Sequence, residues 1–172
     1  DDVGPLWDAA VAWMVDQGIT EGTSPTTFSP SGVLSRGELA VFLHRHAGSP
    51  EAPPHDFEDV DAPWQSAAVS WLVDASVTFG TSPTTFHPDE PVNRGQLATF
   101  LWRFADEPVA GPTSFPDVVP GAFYAVPVAW AAETGVTTGF DDGSFGPDGI
   151  VTRAQIITFL WRMVGSPESI TA

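Results

Sequence analysis

The chain contains no lysine and no cysteine, and its six positive charges are all arginines. Without cysteine there is no disulfide and no thiolate metal site. No apolar run approaches the roughly 20 residues of a membrane-spanning helix, and the start shows no signal-peptide pattern. The chain opens inside what reads as the head of a repeat, as a mature or excised segment would. Against the six cations stand 22 acidic residues, for a net charge of −16. That balance excludes nucleic acid, whose affinity needs many cations to neutralise phosphates, and disfavours an anionic membrane surface. Catalytic signals are missing too. His44, His46, His55 and His87 share no repeat position, and no HExxH, GxSxG or phosphate-loop pattern is present. His44 and His46 would point about 200° apart on a helix, a poor metal pair. The stretch DDGSF (141–145) hints at calcium, but the first two repeats read TSPTTF there and no full ligand set follows. The expectation is no catalytic residue, no metal and no cofactor.

What is present is an internal repeat. Gly22 to Arg45, Gly80 to Arg103 and Gly139 to Arg162 align without a gap at a period of 58 to 59 residues. Repeat one spans about 1–48, repeat two 57–105 and repeat three 115–165. The intervening stretches 47–56 and 105–114, rich in proline and small polar residues, read as exposed linkers. With 172 residues and 42% hydrophobic content, a core is affordable. One repeat alone would bury too little, so three units packed together are expected.

Each repeat opens on a head, FEDV (57–60) or FPDV (115–118), shortened to Asp2-Val3 in the first. A helix follows: Trp64, Ala67, Ala68, Trp71 and Leu72 fall on one face. Trp7, Ala10, Val11, Met14 and Val15, and Phe123, Val126, Trp130 and Ala131, repeat the pattern less perfectly. Pro127 is tolerable only near the first turn, so the third copy starts late. Gly18, Ser76 and Gly135 end these helices. In the middle loop Phe28, Phe86 and Phe145 read as plugs into the core. Ser35, Asn93 and Thr152 cap a second helix, with Glu38, Gln96 and Gln155 three residues on completing a capping box. Its buried face is Leu39, Phe42, Leu43 and His46, or Leu97, Phe100, Leu101 and Phe104, or Ile156, Phe159, Leu160 and Met163.

The arginines sit at two repeat positions, nine residues apart. Arg36, Arg94 and Arg153 occupy the first position of the second helix, where a cation opposes the helix dipole. Two readings stand side by side. An anion docks at that helix end, held by guanidinium and free N–H groups; or each arginine pairs with a head carboxylate such as Asp59 or Asp117 and ties repeats together. Arg45, Arg103 and Arg162 lie in the last turn, where a cation suits the dipole. Nine residues is about 180° of rotation, so the two arginines of one helix cannot share a site. Trp102 and Trp161, in register with His44, could stack on a sugar or pack between helices. Trp13, Trp71 and Trp130 read as core.

FxDV, the Trp-bearing helix, DGSFGP and TRAQI (152–156) together make the chain resemble the S-layer homology family, in three tandem copies. The resemblance implies a mainly α fold: helix-loop-helix repeats in a pseudo-threefold assembly with a central helix bundle and short irregular or β loop segments. It implies a secreted, cell-wall or surface-layer location and non-covalent binding of an anionic wall polysaccharide, often one bearing a pyruvate ketal. Arg36, Arg94 and Arg153 then match the arginine that contacts the sugar in grooves between repeats. Gly22, Gly80 and Gly139 match positions where backbone approaches the ligand or turns sharply. The hallmark here reads SRGEL, NRGQL and TRAQI, with glycine inside two helices and the acid kept only as Glu38, so unequal grooves are expected. The rival reading is an assembly module contacting other surface-layer proteins without glycan; a third is a positioning appendage of a secreted hydrolase.

Overall fold

The computed structural model describes residues 7–24 and 26–167; the first head, Asp2-Val3, lies outside them. Six helices follow in order: α1 (Asp8–Asp16), α2 (Arg36–His46), α3 (Pro63–Asp74), α4 (Arg94–Phe104), α5 (Ala125–Glu133) and α6 (Arg153–Met163). Among the described residues the only β pairing is isolated bridges, three of which join different repeats. The fold is mainly α, with irregular loops between paired helices.

The second helices form where the caps predict. Ser35, Asn93 and Thr152 each accept a hydrogen bond from the backbone N–H three residues on, and Glu38, Gln96 and Gln155 each accept from the cap's own N–H. Such caps contribute about 1 kcal/mol apiece. Gly18, Ser76 and Gly135 all take positive φ at the ends of the first helices. Pro127 lies in the first turn of α5. Leu39, Leu43, Leu97, Leu101, Ile156 and Leu160 are fully buried in one core shared by α2, α4 and α6.

The first helices differ from the expected face. Trp64, Phe123, Val126, Val15 and Ala67 are exposed, whereas Gln65, Ala68, Val69 and Leu72 are buried. The reason is the docking partner: α3 packs on α2, α5 on α4, and α1 on α6. Each first helix leans on the second helix of the preceding repeat, and α1 closes the cycle on the last. That rotation turns Trp64 and Phe123 outward. It also explains two helix-interior glycines, since Gln65 fills the space beside Gly37 and the Tyr124 ring that beside Gly95.

A hydrogen-bonded triangle repeats the cycle at the backbone. Val92 N donates to Leu34 O (3.0 Å), Val151 N to Val92 O (2.8 Å), and Leu34 N to Val151 O (3.0 Å). The linkers are strapped down: His44 bonds the Pro50 carbonyl, and the Trp102 and Trp161 indole N–H groups donate to Pro108 O and Pro167 O. Phe28, Phe86 and Phe145 are buried as predicted; Phe57 and Phe115 of the heads lie against the latter two.

Candidate functional site

The capped N-termini place Arg36, Arg94 and Arg153 against the middle loop of another repeat. Arg36 Nε donates to Phe86 O (2.8 Å), Arg94 Nε to Phe145 O (2.7 Å), and Arg153 Nε to Phe28 O (3.0 Å). Each guanidinium also lies over two phenylalanine rings, one from the loop and one from the adjoining second helix: Phe86 and Phe100, Phe145 and Phe159, Phe28 and Phe42. All three side chains are only 4–5% exposed. Burial lowers the pKa of Arg36 and Arg94, opposed by Glu90 and Asp59 for the former and Asp117 for the latter. Carbonyl and aromatic contacts replace the lost water.

This geometry corrects both readings of the first arginines. The first two N–H groups of each second helix are not free. In α2 they donate to Glu90 O and Pro88 O, in α4 to Gly149 O and Pro147 O, and in α6 to Gly32 O and Pro30 O. Nor do Asp59 and Asp117 pair with arginine. Asp59 accepts from the N–H groups of Phe86 and His87, and Asp117 from those of Phe145 and Gly146. They hold the loops whose carbonyls receive the arginines. Among the described residues, Arg153 alone of the three has a carboxylate partner, Glu38 at 2.8 Å.

Clefts nonetheless open beside two of them. One, about 200 Å³, is lined by Arg36, Thr78, Gly80, Thr81, Gln96, Thr99, Phe100, Arg103 and Phe123. The other, about 180 Å³, is lined by the corresponding Arg153, Thr20, Glu21, Gly22, Glu38, Phe42, Arg45 and Trp64, with Val41. The first arginine of one repeat thus meets the second arginine of the next. Rotation along a single helix correctly separates the two arginines of one repeat, but it is silent on this pairing, so Arg45 and Arg103 were missed. Trp64 and Phe123 were missed as cleft walls because their spacing put them on the core face. The positive φ of Gly22, Gly80 and Gly139 makes the turn that forms each rim.

At the third position Phe140 lies over the Arg94 guanidinium, 4.5 Å from its ring centroid. Trp102 and Trp161 line neither cleft; they fasten linkers. The largest depression, about 650 Å³, lies under the first linker beside His44, Pro50, Glu51, Asp61 and Ser66. It carries two carboxylates and no arginine, so it suits no anion. In the DDGSF loop, Asp142 accepts from both the N–H and the hydroxyl of Ser144. No cluster of three or more metal-ligating side chains occurs among the described residues.

Fold and clefts define a closed, three-repeat helical module with arginines paired across repeat boundaries. The chain belongs to the S-layer homology family: the model "S-layer homology domain" matches residues 1–40, 56–98 and 114–157. Relatives include an uncharacterized cell wall amidase of Bacillus anthracis, 29% identical over 81% of this chain and 27% of its own length. An endoglucanase of Bacillus sp. (strain KSM-635) is 30% identical over 87% of this chain and 17% of its own. A cellulosome-anchoring protein of Acetivibrio thermocellus is 23% identical over 78% and 33%. The chain therefore spans a third or less of these relatives.

Proposed function

We propose that this chain is a non-catalytic anchoring module of the cell envelope, located at the cell wall or surface layer. It holds an anionic wall polysaccharide, of the pyruvate-ketal type, in clefts between its repeats. The observation that carries this reading is the pairing of two arginines with an exposed aromatic wall, Phe123 at 64% exposure or Trp64 at 59%, in a chain of net charge −16. A flat apolar face beside fixed cations suits an acidic sugar. Supporting it are the family membership and the relatives named for anchoring, surface-layer and wall roles. The enzyme names of other relatives describe proteins of which this chain matches a minor part. The three repeats act as one unit, since each second helix needs the next repeat's loop.

Co-sedimentation with isolated Acetivibrio thermocellus wall sacculi tests the reading, with sacculi stripped of polysaccharide as the control. Binding is expected to the intact sacculi alone and to weaken steeply with salt, because the acidic body opposes an anionic polymer and only local cations overcome it. Equal binding to stripped sacculi would remove the glycan role.

The assembly reading keeps one observation of its own. Arg36, Arg94 and Arg153 are structural ties, so their removal lowers stability whether or not a glycan binds. Arg45 and Arg103, half-buried at the rims, are the better probes of binding.

A further inference from the structure

The two clefts and the covered third position differ at three register points. These are the residue before the rim glycine, the third residue of the second helix, and the residue after the rim glycine. Glu21, Phe79 and Thr138 hold the first; Glu38, Gln96 and Gln155 the second; Thr23, Thr81 and Phe140 the third.

In the cleft of Arg153 and Arg45, Glu38 divides its oxygens. Oε2 accepts from the Ser35 N–H, and Oε1 grips Arg153 Nη1 at 2.8 Å. Glu21 also lines this cleft. Two guanidinium charges therefore face two carboxylates, and the cleft is neutral. In the cleft of Arg36 and Arg103, Gln96 Oε1 accepts from the Asn93 N–H. The other end of Gln96 is then an amide NH2, a donor that cannot satisfy a guanidinium. Arg36 uses Nε alone, and its terminal nitrogens have no hydrogen-bond partner among the described residues. Arg103 Nε is buried without one, its carboxylate neighbour Glu107 standing off at 3.8 Å. No acidic residue lines this cleft. Phe79 lies under the Arg103 guanidinium, 5.0 Å from it. At the third position Phe140 covers Arg94.

Resting on the anchoring reading, we infer that the Arg36–Arg103 cleft is the one site on this chain that accepts the ligand's carboxylate. Glu38 fills the equivalent place beside Arg153, and Phe140 closes the one beside Arg94. Arg36, Arg103 and the Gln96 amide supply donors and no competing acceptor charge. Phe123 offers the flat face, and Thr78 and Thr81 border the hydroxyl side. About 200 Å³ is below the roughly 300–1,000 Å³ of drug-sized pockets, which restricts the site to about one sugar ring with its acidic substituent.

The test is calorimetric titration of the whole chain with a hexosamine glycoside carrying a 4,6-pyruvate ketal, with its methyl ester as the uncharged control. One site per chain is expected, with at least tenfold weaker binding of the ester. R103M should weaken the ketal at least tenfold. Q96E, which gives Arg36 the carboxylate partner that Arg153 already has, should keep the fold and weaken binding as much. R45M should cost less than twofold. Two or three equal sites, an equal loss in R45M, undiminished binding in Q96E, or no binding of the ketal by wild type would overturn the assignment. The anchoring reading is judged separately, because it fails only if wild type ignores polysaccharide on intact sacculi.

Discussion

Arg153 and Glu38 show how one side chain can both hold and neutralise. Glu38 caps α2 with one oxygen and pairs with Arg153 through the other, the two side chains being 6% and 31% exposed. Replacing Glu38 by Gln keeps the cap and leaves a buried guanidinium without its anion. The expected loss is about 1–2 kcal/mol, less than for a fully buried pair because Glu38 is partly solvated, read from denaturant midpoints. His46 makes a pH prediction. Burial between Trp13 and Phe104 lowers its pKa from 6.5. A folded pKa below the unfolded one means stability is complete above pH 6.5 and falls as pH drops through the folded value. Phe104 and Met163 occupy the same register uncharged, so H46M should flatten the decline in melting temperature between pH 7.5 and 5; an unchanged slope would exclude His46 as its source. Asp59 and Asp117 act lower. Desolvation raises their pKa, but hydrogen bonds from the Phe86, His87, Phe145 and Gly146 N–H groups outweigh it and hold them below 3.8. Their contribution is lost only as the medium becomes more acid than that.

Among the elements, α2, α4 and α6 were legible from the residues themselves, because Ser35, Asn93 and Thr152 with their third-position partners are local chemistry. The faces of α1, α3 and α5 were read less well. Periodicity locates an apolar stripe, but three similar repeats offer three similar surfaces to receive it, and only the chain's closure selects the preceding repeat. That choice exposes Trp64 and Phe123 and pairs arginines from different repeats, which no spacing within one repeat encodes. The glycines of SRGEL and NRGQL looked costly at about 1 kcal/mol each; they are the space Gln65 and Tyr124 need. G95A is therefore expected to destabilise by about 1–3 kcal/mol through overpacking, despite alanine's better helix propensity. A stabilised G95A in thermal unfolding would contradict the packing account.

For the whole molecule, the cycle of contacts makes each repeat depend on both others. Unfolding should be one cooperative transition by calorimetry and by tryptophan fluorescence, and a fragment of residues 57–105 alone should lack stable helix by circular dichroism. Separate melting of the repeats would show the contacts across their boundaries to be weak. With −16 charges and no lysine, self-repulsion opposes compaction, so raising sodium chloride from 0.05 to 1 M should raise the melting temperature even as it weakens glycan binding. The two opposite responses separate fold from ligand in one titration.

The triangle of Leu34, Val92 and Val151 has neither a first nor a last member, since every corner both gives and receives. A circular permutant opened within either linker would keep all three corners. The order in which the ribosome makes the repeats is thus not the order in which they support each other, and the last to emerge completes the footing of the first.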